Sequence, residues 1–132
     1  MKNVANARFA IQSWDEKAYS EEPGAPKLTR ARVVKLYTGD IDGEAQAEYL
    51  MMYRGDGTAA FVGLERIAAR LGGKSGTFVL QRTGLFEGGH ATESYVVLPG
   101  SATGELRGLA GDGASSVGHG LEHPFALSDE LA

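Results

Sequence analysis

The chain lacks cysteine, and it also lacks any long apolar run. Without cysteine it can form no disulfide, no thiolate nucleophile and no zinc–thiolate site. Its longest apolar stretches, such as residues 49–53, are far shorter than the ~20 residues that a membrane helix needs. The polar start MKNVANARF has no apolar core of the kind found in signal peptides, which predicts a cytoplasmic protein.

The chain has no excess of positive charge either. Seventeen acidic residues against 13 basic ones give a net charge of -4, and the basic residues form no stripe that would neutralise phosphates. Nucleic acid is therefore not an expected partner. With 132 residues, 42% of them hydrophobic, the chain fits one domain over residues 1–132 with one core.

Helical periodicity is scarce, whereas 19 glycines recur at intervals of one strand plus one turn. Residues 15–27 are polar and are predicted to form a surface loop. Eight antiparallel strands can close into a barrel that holds side chains or one small ligand. The predicted fold is therefore all-β, a single closed antiparallel β-barrel of about eight strands. These strands are predicted at 4–14, 28–38, 44–54, 61–71, 76–86, 90–98, 103–117 and 124–131.

The clearest hairpin in the sequence spans residues 61–89. Its first strand carries arginines at even positions, so the odd positions, including Glu65, are predicted to face the interior. The turn is either the four residues 72–75 or the pair Gly72-Gly73 alone. Both registers put Glu65 and Arg82 on the same inward face, which predicts a buried ion pair.

Two-residue turns on either side of this hairpin extend the inward face to neighbouring strands. A turn within residues 55–57 brings in the even positions of strand 44–54, and a turn at 88–89 brings in the odd positions of strand 90–98. Four neighbouring strands then contribute one interior polar group, which consists of Glu48, Glu65, Arg82 and Tyr95.

Two carboxylates that share one arginine in a low-dielectric interior must be paired or must shift their pKa. One carboxyl, of Glu65 or Glu48, would then stay protonated near neutral pH and could act as a general acid or base beside Tyr95. The alternative is structural, with Arg82 and one glutamate forming a buried pair that fixes the strand register. Structural networks perturb pKa values as catalytic ones do, so both interpretations stay open.

Residues 119–123 read HGLEH, which matches the H-x-x-E-H pattern of a zinc protease motif. That motif requires a helix, and Gly118, Gly120 and Pro124 argue against one. We expect a surface turn here, with no metal site and no cofactor.

The outward face of the third and fourth predicted strands is expected to be too apolar to stand in water. A second subunit would cover it, which predicts a homodimer. The alternative cover is the predicted loop 15–27. The residues of this predicted patch are Tyr49, Met51, Tyr53, Val62 and Leu64.

The chain contains SWDE at 13–16, KLTRARV at 27–33, EYLMMY at 48–53, FVGLERI at 61–67, GGKSGTFVLQRTG at 72–84 and PGSATGELRGLAGDG at 99–113. Together these segments resemble the bacterial domain-of-unknown-function family 3224 (DUF3224), in one order over nearly the whole chain. The resemblance implies an allene-oxide-cyclase-like β-barrel. Plant allene oxide cyclases share that architecture, and dirigent proteins and some bacterial polyketide cyclases have similar barrels that shape reactive apolar substrates. No catalytic motif of these proteins is matched here.

Three functions are compatible with this pattern. The first is binding of a small, mostly apolar ligand in the barrel, with Arg82 holding a ligand oxygen. The second is a cofactor-free isomerase or cyclase, with Glu65, Glu48 and Tyr95 as the catalytic groups. The third is a structural or interaction protein whose barrel is filled by side chains. The predicted walls of the ligand site are Met52, Phe61, Leu80 and Phe86.

Overall fold

Eight β-strands make up most of the protein. The computed structural model describes residues 2–117 and 122–131. The strands are β1 (Lys2–Ser20), β2 (Lys27–Gly39), β3 (Ile41–Tyr53), β4 (Ala59–Leu71), β5 (Lys74–Glu87), β6 (His90–Val97), β7 (Leu109–Val117) and β8 (Glu122–Leu131). A single turn of 3-10 helix, Gly104–Leu106, lies between β6 and β7. No helix in the described part of the chain has the length and apolar character to cross a membrane.

Each strand pairs antiparallel with its neighbours in sequence, and β1 also pairs with β8, so the sheet closes on itself. In β1, Phe9 lies opposite Tyr37 of β2 on one side and opposite His123 of β8 on the other. Pairing with β8 covers β1 from Lys2 to Ala10, and the rest of β1 pairs with β2 alone. The predicted all-β fold, one closed antiparallel barrel of eight strands, is confirmed.

The connections between strands define two ends of the barrel. The base carries Asp40, the Gly72-Gly73 turn and the 3-10 helix, and the mouth carries residues 21–26, 54–58 and 88–89. Large apolar side chains fill the interior on the base side of the barrel. They include Ile41, Ile67, Phe78, Leu80 and Leu106, each at most 1% exposed.

The hairpin of β4 and β5 turns on two residues only. Gly72 and Gly73 both have positive φ, +59° and +82°, as the tightest β-hairpin turn requires. Of the two predicted registers the shorter turn is correct, so Glu65 lies opposite Leu80. The inward face is unchanged, and Arg82 lies on it with Glu65.

The connection between β3 and β4 is a five-residue loop, not the predicted two-residue turn. Tyr53 pairs with Ala59, and residues 54–58 form the loop. Asp56 holds it together by accepting a hydrogen bond from the backbone N–H of Thr58 at 3.0 Å. Relative to either predicted turn, the register is displaced by one residue, which reverses the face of every side chain in β3.

This reversal corrects two of the predicted interior residues. Ala47 and Tyr49 are buried inside the barrel, while Glu48 is exposed and forms an ion pair with Arg32 at 3.6 Å on the outer surface. Met52 alternates with the inward positions and shares the outer face with Glu48. The predictions that Glu48 and Met52 line the interior are therefore wrong.

The predicted apolar outer patch changes for the same reason. Tyr49 is buried, Met51 packs against the interior cluster, and the hydroxyl of Tyr53 donates a hydrogen bond to Glu16 at 2.5 Å. Their predicted outward orientation is wrong. Two members of the patch, Val62 and Leu64, are about half exposed as predicted.

The predicted surface loop 15–27 is mostly strand. β1 continues through Ser20, with Asp15 opposite Arg32 and Lys17 opposite Arg30, so the connection shrinks to residues 21–26. Backbone pairing to β2 holds residues 15–20 within the sheet. They therefore do not form the surface loop that was the alternative cover for the outer patch.

Candidate functional site

A network of charged side chains lies inside the barrel above the apolar base. Lys35 of β2, Glu65 of β4 and Arg82 of β5 are only 3%, 0% and 1% exposed. Glu65 Oε1 accepts hydrogen bonds from Lys35 Nζ at 2.8 Å and from Arg82 Nε at 2.5 Å. The predicted ion pair of Glu65 with Arg82 is confirmed, and a second cation shares the same carboxylate oxygen.

Two further side chains complete the hydrogen bonding of this network. The hydroxyl of Tyr37 donates to Glu65 Oε2 at 2.5 Å and accepts from Arg82 Nη2 at 2.9 Å. Arg82 Nη1 donates to Glu93 Oε1 at 2.7 Å, and Lys35 Nζ donates to the hydroxyl of Tyr49 at 2.7 Å. Among the described residues, every fully buried side-chain nitrogen or oxygen has a partner. Two cations and two carboxylates, hydrogen-bonded throughout, make this ionic network neutral.

Aromatic rings form the walls around the two cations. Lys35 Nζ lies 4.5 Å from the ring centre of Phe9, and the Arg82 guanidinium carbon lies 4.9 Å from that of Tyr95 and 5.3 Å from that of Phe125. At these distances the electron-rich ring faces attract a positive charge, most strongly where water is excluded. The rings therefore help to hold two cations in a site with little solvent.

The electrostatics of the network keep Glu65 ionised. Burial makes the largest single contribution and would raise the pKa of Glu65, but Arg82 and Lys35 together outweigh it and lower that pKa to about 2. Burial also lowers the pKa of Lys35 to about 8, despite the opposing charge of Glu65. The sequence predicted that one interior carboxyl would stay protonated at neutral pH. Glu65 does not provide that group.

Comparison with known proteins identifies the family of this chain. The family model described as "Protein of unknown function (DUF3224)" matches residues 5–128. The chain belongs to the DUF3224 family. A crystal structure from Shewanella oneidensis MR-1, described as a protein with unknown function from the DUF3224 family, matches with a TM-score of 0.86 and 27% identity, over 100% of this chain and 99% of that one. No protein of curated function matches significantly.

The family assignment predicted from the sequence is thus confirmed for this DUF3224 protein. The allene-oxide-cyclase-like description, which the resemblance implied, stays a prediction. The neighbour from Shewanella shares the whole barrel, and its description assigns no activity.

The remaining predicted site residues occupy different levels of the barrel. Leu80 is fully buried beneath the ionic network. Tyr95 lies opposite Arg82, as predicted, and its hydroxyl donates to the backbone oxygen of Ala126 at 2.5 Å. Phe61 and Phe86 are half-buried on the mouth side. The predicted roles of these residues in binding or catalysis stay predictions.

Sequence reasoning missed Lys35 and Tyr37 of this DUF3224 barrel and placed Glu93 inside without giving it a role. Arg30 and Arg32 are even-numbered residues of β2, and arginines are expected to face water. The odd-numbered Lys35 could therefore have been predicted to face inward. An inward lysine is uncommon unless it is paired, which makes it an informative signal. Glu93 supplies the second carboxylate that had been assigned to Glu48.

Exposure of inward-facing side chains changes along each strand. On β5, Leu80 and Arg82 are sealed, whereas Phe86, nearer the mouth, is half-buried. On β6, Tyr95 is buried, but the side chain of Glu93 is 12% exposed. Inward-facing side chains are therefore more exposed toward the mouth than in the ionic network, which we call the floor of the mouth.

The H-x-x-E-H pattern lies only partly within the described residues. Residues 119–121 fall outside them, and His123 lies on β8, where its ring centre is 5.1 Å from that of Phe9. The described residues contain no cluster of three or more histidine, aspartate or glutamate side chains placed to hold a metal ion.

Proposed function

We propose that this DUF3224 protein binds a small, mostly apolar molecule at the mouth of the barrel. The observation that carries the proposal is the exposure of inward-facing side chains above a sealed floor. Small-molecule sites are usually concave and mostly apolar, with a few polar groups that fix the orientation of the ligand. The mouth supplies side chains of both kinds, with Phe61 and Phe86 as partly exposed apolar residues and Glu93 as the polar group below them.

Glu93 is the polar group of the network that a ligand would meet first. Arg82 is 1% exposed and already donates hydrogen bonds to Glu65, Glu93 and Tyr37. In this proposal Arg82 orients Glu93, and its predicted role of holding a ligand oxygen stays a prediction. An ionised or hydrogen-bond-accepting carboxylate selects a molecule that carries a hydroxyl or another hydrogen-bond donor on an apolar body.

Binding is better supported than catalysis because of the state of Glu65. A general acid needs a pKa near the working pH, whereas the pKa of Glu65 is lowered to about 2 by Arg82 and Lys35 acting against burial. Glu65 is also completely buried beneath the floor. The proposed binding requires no cofactor.

A thermal-shift screen of small alcohols, ketones and carboxylic acids tests the proposal. A ligand present at about a hundred times its dissociation constant should stabilise the fold by about 2.7 kcal/mol, which is readily seen as a rise in Tm. The alcohols are expected to give the largest shifts. Absence of a shift from every compound in the screen would contradict binding at the mouth.

Matched tryptophan variants locate the site. Ala91 faces inward at the mouth, and its neighbour Thr92 is exposed on the outer face. Ala91→Trp should fill the mouth and remove the ligand-induced shift, whereas Thr92→Trp places the same ring outside and should keep it. Equal shifts in both variants would show that the ligand binds elsewhere.

The cytoplasmic location and the homodimer predicted from the sequence stay predictions, and for the homodimer we propose a revised surface. The outer face of β3 to β5 carries Leu50, Val62, Leu64 and Leu85, each about half exposed. Val62 lies directly opposite Leu50, and Leu64 is the next outward residue on β4, so these three side chains are neighbours in an apolar patch. Such a patch is typical of an interface between subunits.

Light scattering of the purified protein tests the dimer. We expect a mass twice the 13.9 kDa of one chain. Val62→Asp combined with Leu64→Glu should give a folded monomer, because charges in the patch oppose its burial. Ser116→Glu, on the outer face of β7, should leave the mass unchanged. A wild-type mass of one chain would refute the proposal.

A further inference from the structure

A buried carboxylate at the base of the barrel has no hydrogen-bond or ion-pair partner among the described residues. Asp129 of β8 is 7% exposed, and its side chain makes no hydrogen bond or ion pair with any described residue. Every fully sealed side-chain oxygen in the described part of the chain does have a partner, so the oxygens of Asp129 must still reach solvent. Asp129 thus accepts no hydrogen bond from the described residues and is accessible from outside.

The strands beside Asp129 leave space over it. Asp129 lies opposite Asn3 of β1 and opposite Gly111 of β7. Gly111 has no side chain to cover the carboxylate from the β7 side. Asp129 therefore contributes to the wall of an open depression at the base, with a volume of about 640 Å³.

The depression combines an apolar lining with a small excess of negative charge. Leu71, Leu106, Leu109 and Leu131 supply the apolar surface. Its charged residues are three aspartates, at positions 40, 42 and 129, and two cations, Arg70 and Lys74. Asp40 already accepts a hydrogen bond from the backbone N–H of Asn6 at 2.8 Å. This leaves Asp129 as the buried acceptor of the depression.

A carboxylate in this position is costly for the fold. Burial raises the pKa of Asp129, and no charge or hydrogen bond from the described residues opposes this rise. The interior carboxylate at the other level of the barrel, Glu65, has three donors. A buried but accessible carboxylate that accepts no hydrogen bond from the described residues is free to accept one from a ligand.

We propose that the depression at the base is a second binding site, separate from the mouth, that takes a small organic ammonium ion with an apolar chain. The ammonium group donates charge-assisted hydrogen bonds to Asp129, and the apolar chain packs on the leucines around it. The site lies at the opposite end of the barrel from Glu93, beyond the ionic network. A ligand can therefore occupy it whether or not the mouth is filled.

Hexylammonium chloride is a suitable probe, with sodium hexanoate and 1-hexanol as matched probes of other charge. The titrations are carried out at neutral pH and followed by NMR. The backbone amide signals of Leu109, Gly111 and Leu131 should show saturable chemical-shift changes on addition of hexylammonium. Hexanoate and hexanol should bind at least about tenfold more weakly. Equal affinity for all three, or shifts confined to the mouth, would overturn the proposal.

Two variants with the same change of charge separate the site from the general charge of the protein. Asp129→Asn should weaken hexylammonium at least about tenfold. Asp112→Asn, on the exposed face of the neighbouring strand, should leave the affinity within about twofold. Equal effects of the two variants would show that the probe senses only net charge and would overturn the site.

Stability gives an independent readout. Asp129→Asn removes an uncompensated charge, so we expect a higher Tm than that of the wild type, with Asp112→Asn unchanged. A gain in stability together with a loss of hexylammonium binding is the expected signature of a binding residue. A lower Tm for Asp129→Asn would show that the carboxylate supports the fold and would overturn the proposal.

Discussion

Replacing Arg82 with methionine should lower the free energy of unfolding by about 3 to 5 kcal/mol. The guanidinium donates to Glu65, Glu93 and Tyr37, and it is 1% exposed. Its loss leaves two carboxylates against the single cation Lys35 in a site with little water. Urea denaturation at pH 7 measures the change, which should show as a lower midpoint with little change in slope.

Two comparisons establish that the loss comes from an uncompensated charge. Arg32→Met removes the exposed partner of Glu48, at 3.6 Å, and should cost less than about 1 kcal/mol. Adding Glu65→Gln to Arg82→Met leaves one cation, Lys35, and one carboxylate, Glu93, so the network is again neutral. The double variant should therefore recover part of the stability. Equal stability of the Arg32 and Arg82 variants would contradict a buried network.

The inward face of the central hairpin was predictable because it did not depend on turn length. A four-residue turn and a two-residue turn both put Glu65 and Arg82 on one side, since the difference between them is an even number of residues. The same holds for the pairing of Arg82 with Tyr95 across the Gly88-Gly89 turn. The ion pair of Glu65 with Arg82 could therefore be predicted from the alternation of side chains along the strands, whatever the length of the turn.

The error at Glu48 shows where this reasoning fails. The loop 54–58 has an odd number of residues, and every two-residue turn in that region gives the opposite face. The strand itself carried the correct signal, because Glu48 follows Glu44 and Gln46 at alternate positions, a polar series that is typical of an outer face. The alternation of polar side chains within β3 therefore predicts the inward face better than an assumed two-residue turn does.

The closed barrel also explains why Lys35 was missed. Lys35 reaches Glu65 from β2, two strands away. On β3, which lies between them, Ala45 is opposite Lys35 and Ala47 is opposite Glu65. Arguments from single hairpins connect adjacent strands only. The side chain of Lys35 can cross the small alanines of β3 and contact Glu65 because the barrel wall curves. The degree of that curvature could not be predicted from the sequence.

Replacing Glu65 with glutamine should produce a loss of stability that depends on pH. At pH 7 the variant leaves Lys35 and Arg82 with only Glu93 as a counter-charge, and we expect a loss of about 3 to 5 kcal/mol. Glu48→Gln makes the same change at an exposed ion pair and should cost less than about 1 kcal/mol. Urea denaturation of both variants and the wild type, repeated at several pH values, gives the comparison.

The direction of the pH effect follows from the pKa of Glu65. Arg82 and Lys35, acting against burial, lower it from 4.5 to about 2 in the folded protein. A carboxyl with a lowered pKa stabilises the fold fully above pH 4.5, and that contribution is lost as pH falls toward 2. At about 1.4 kcal/mol per pH unit, roughly 3 kcal/mol of the difference between wild type and Glu65→Gln should disappear across this range. Other carboxyl groups titrate in both proteins and largely cancel. A difference that stays constant from pH 5 to 2 would show that Glu65 contributes through packing and not through its charge.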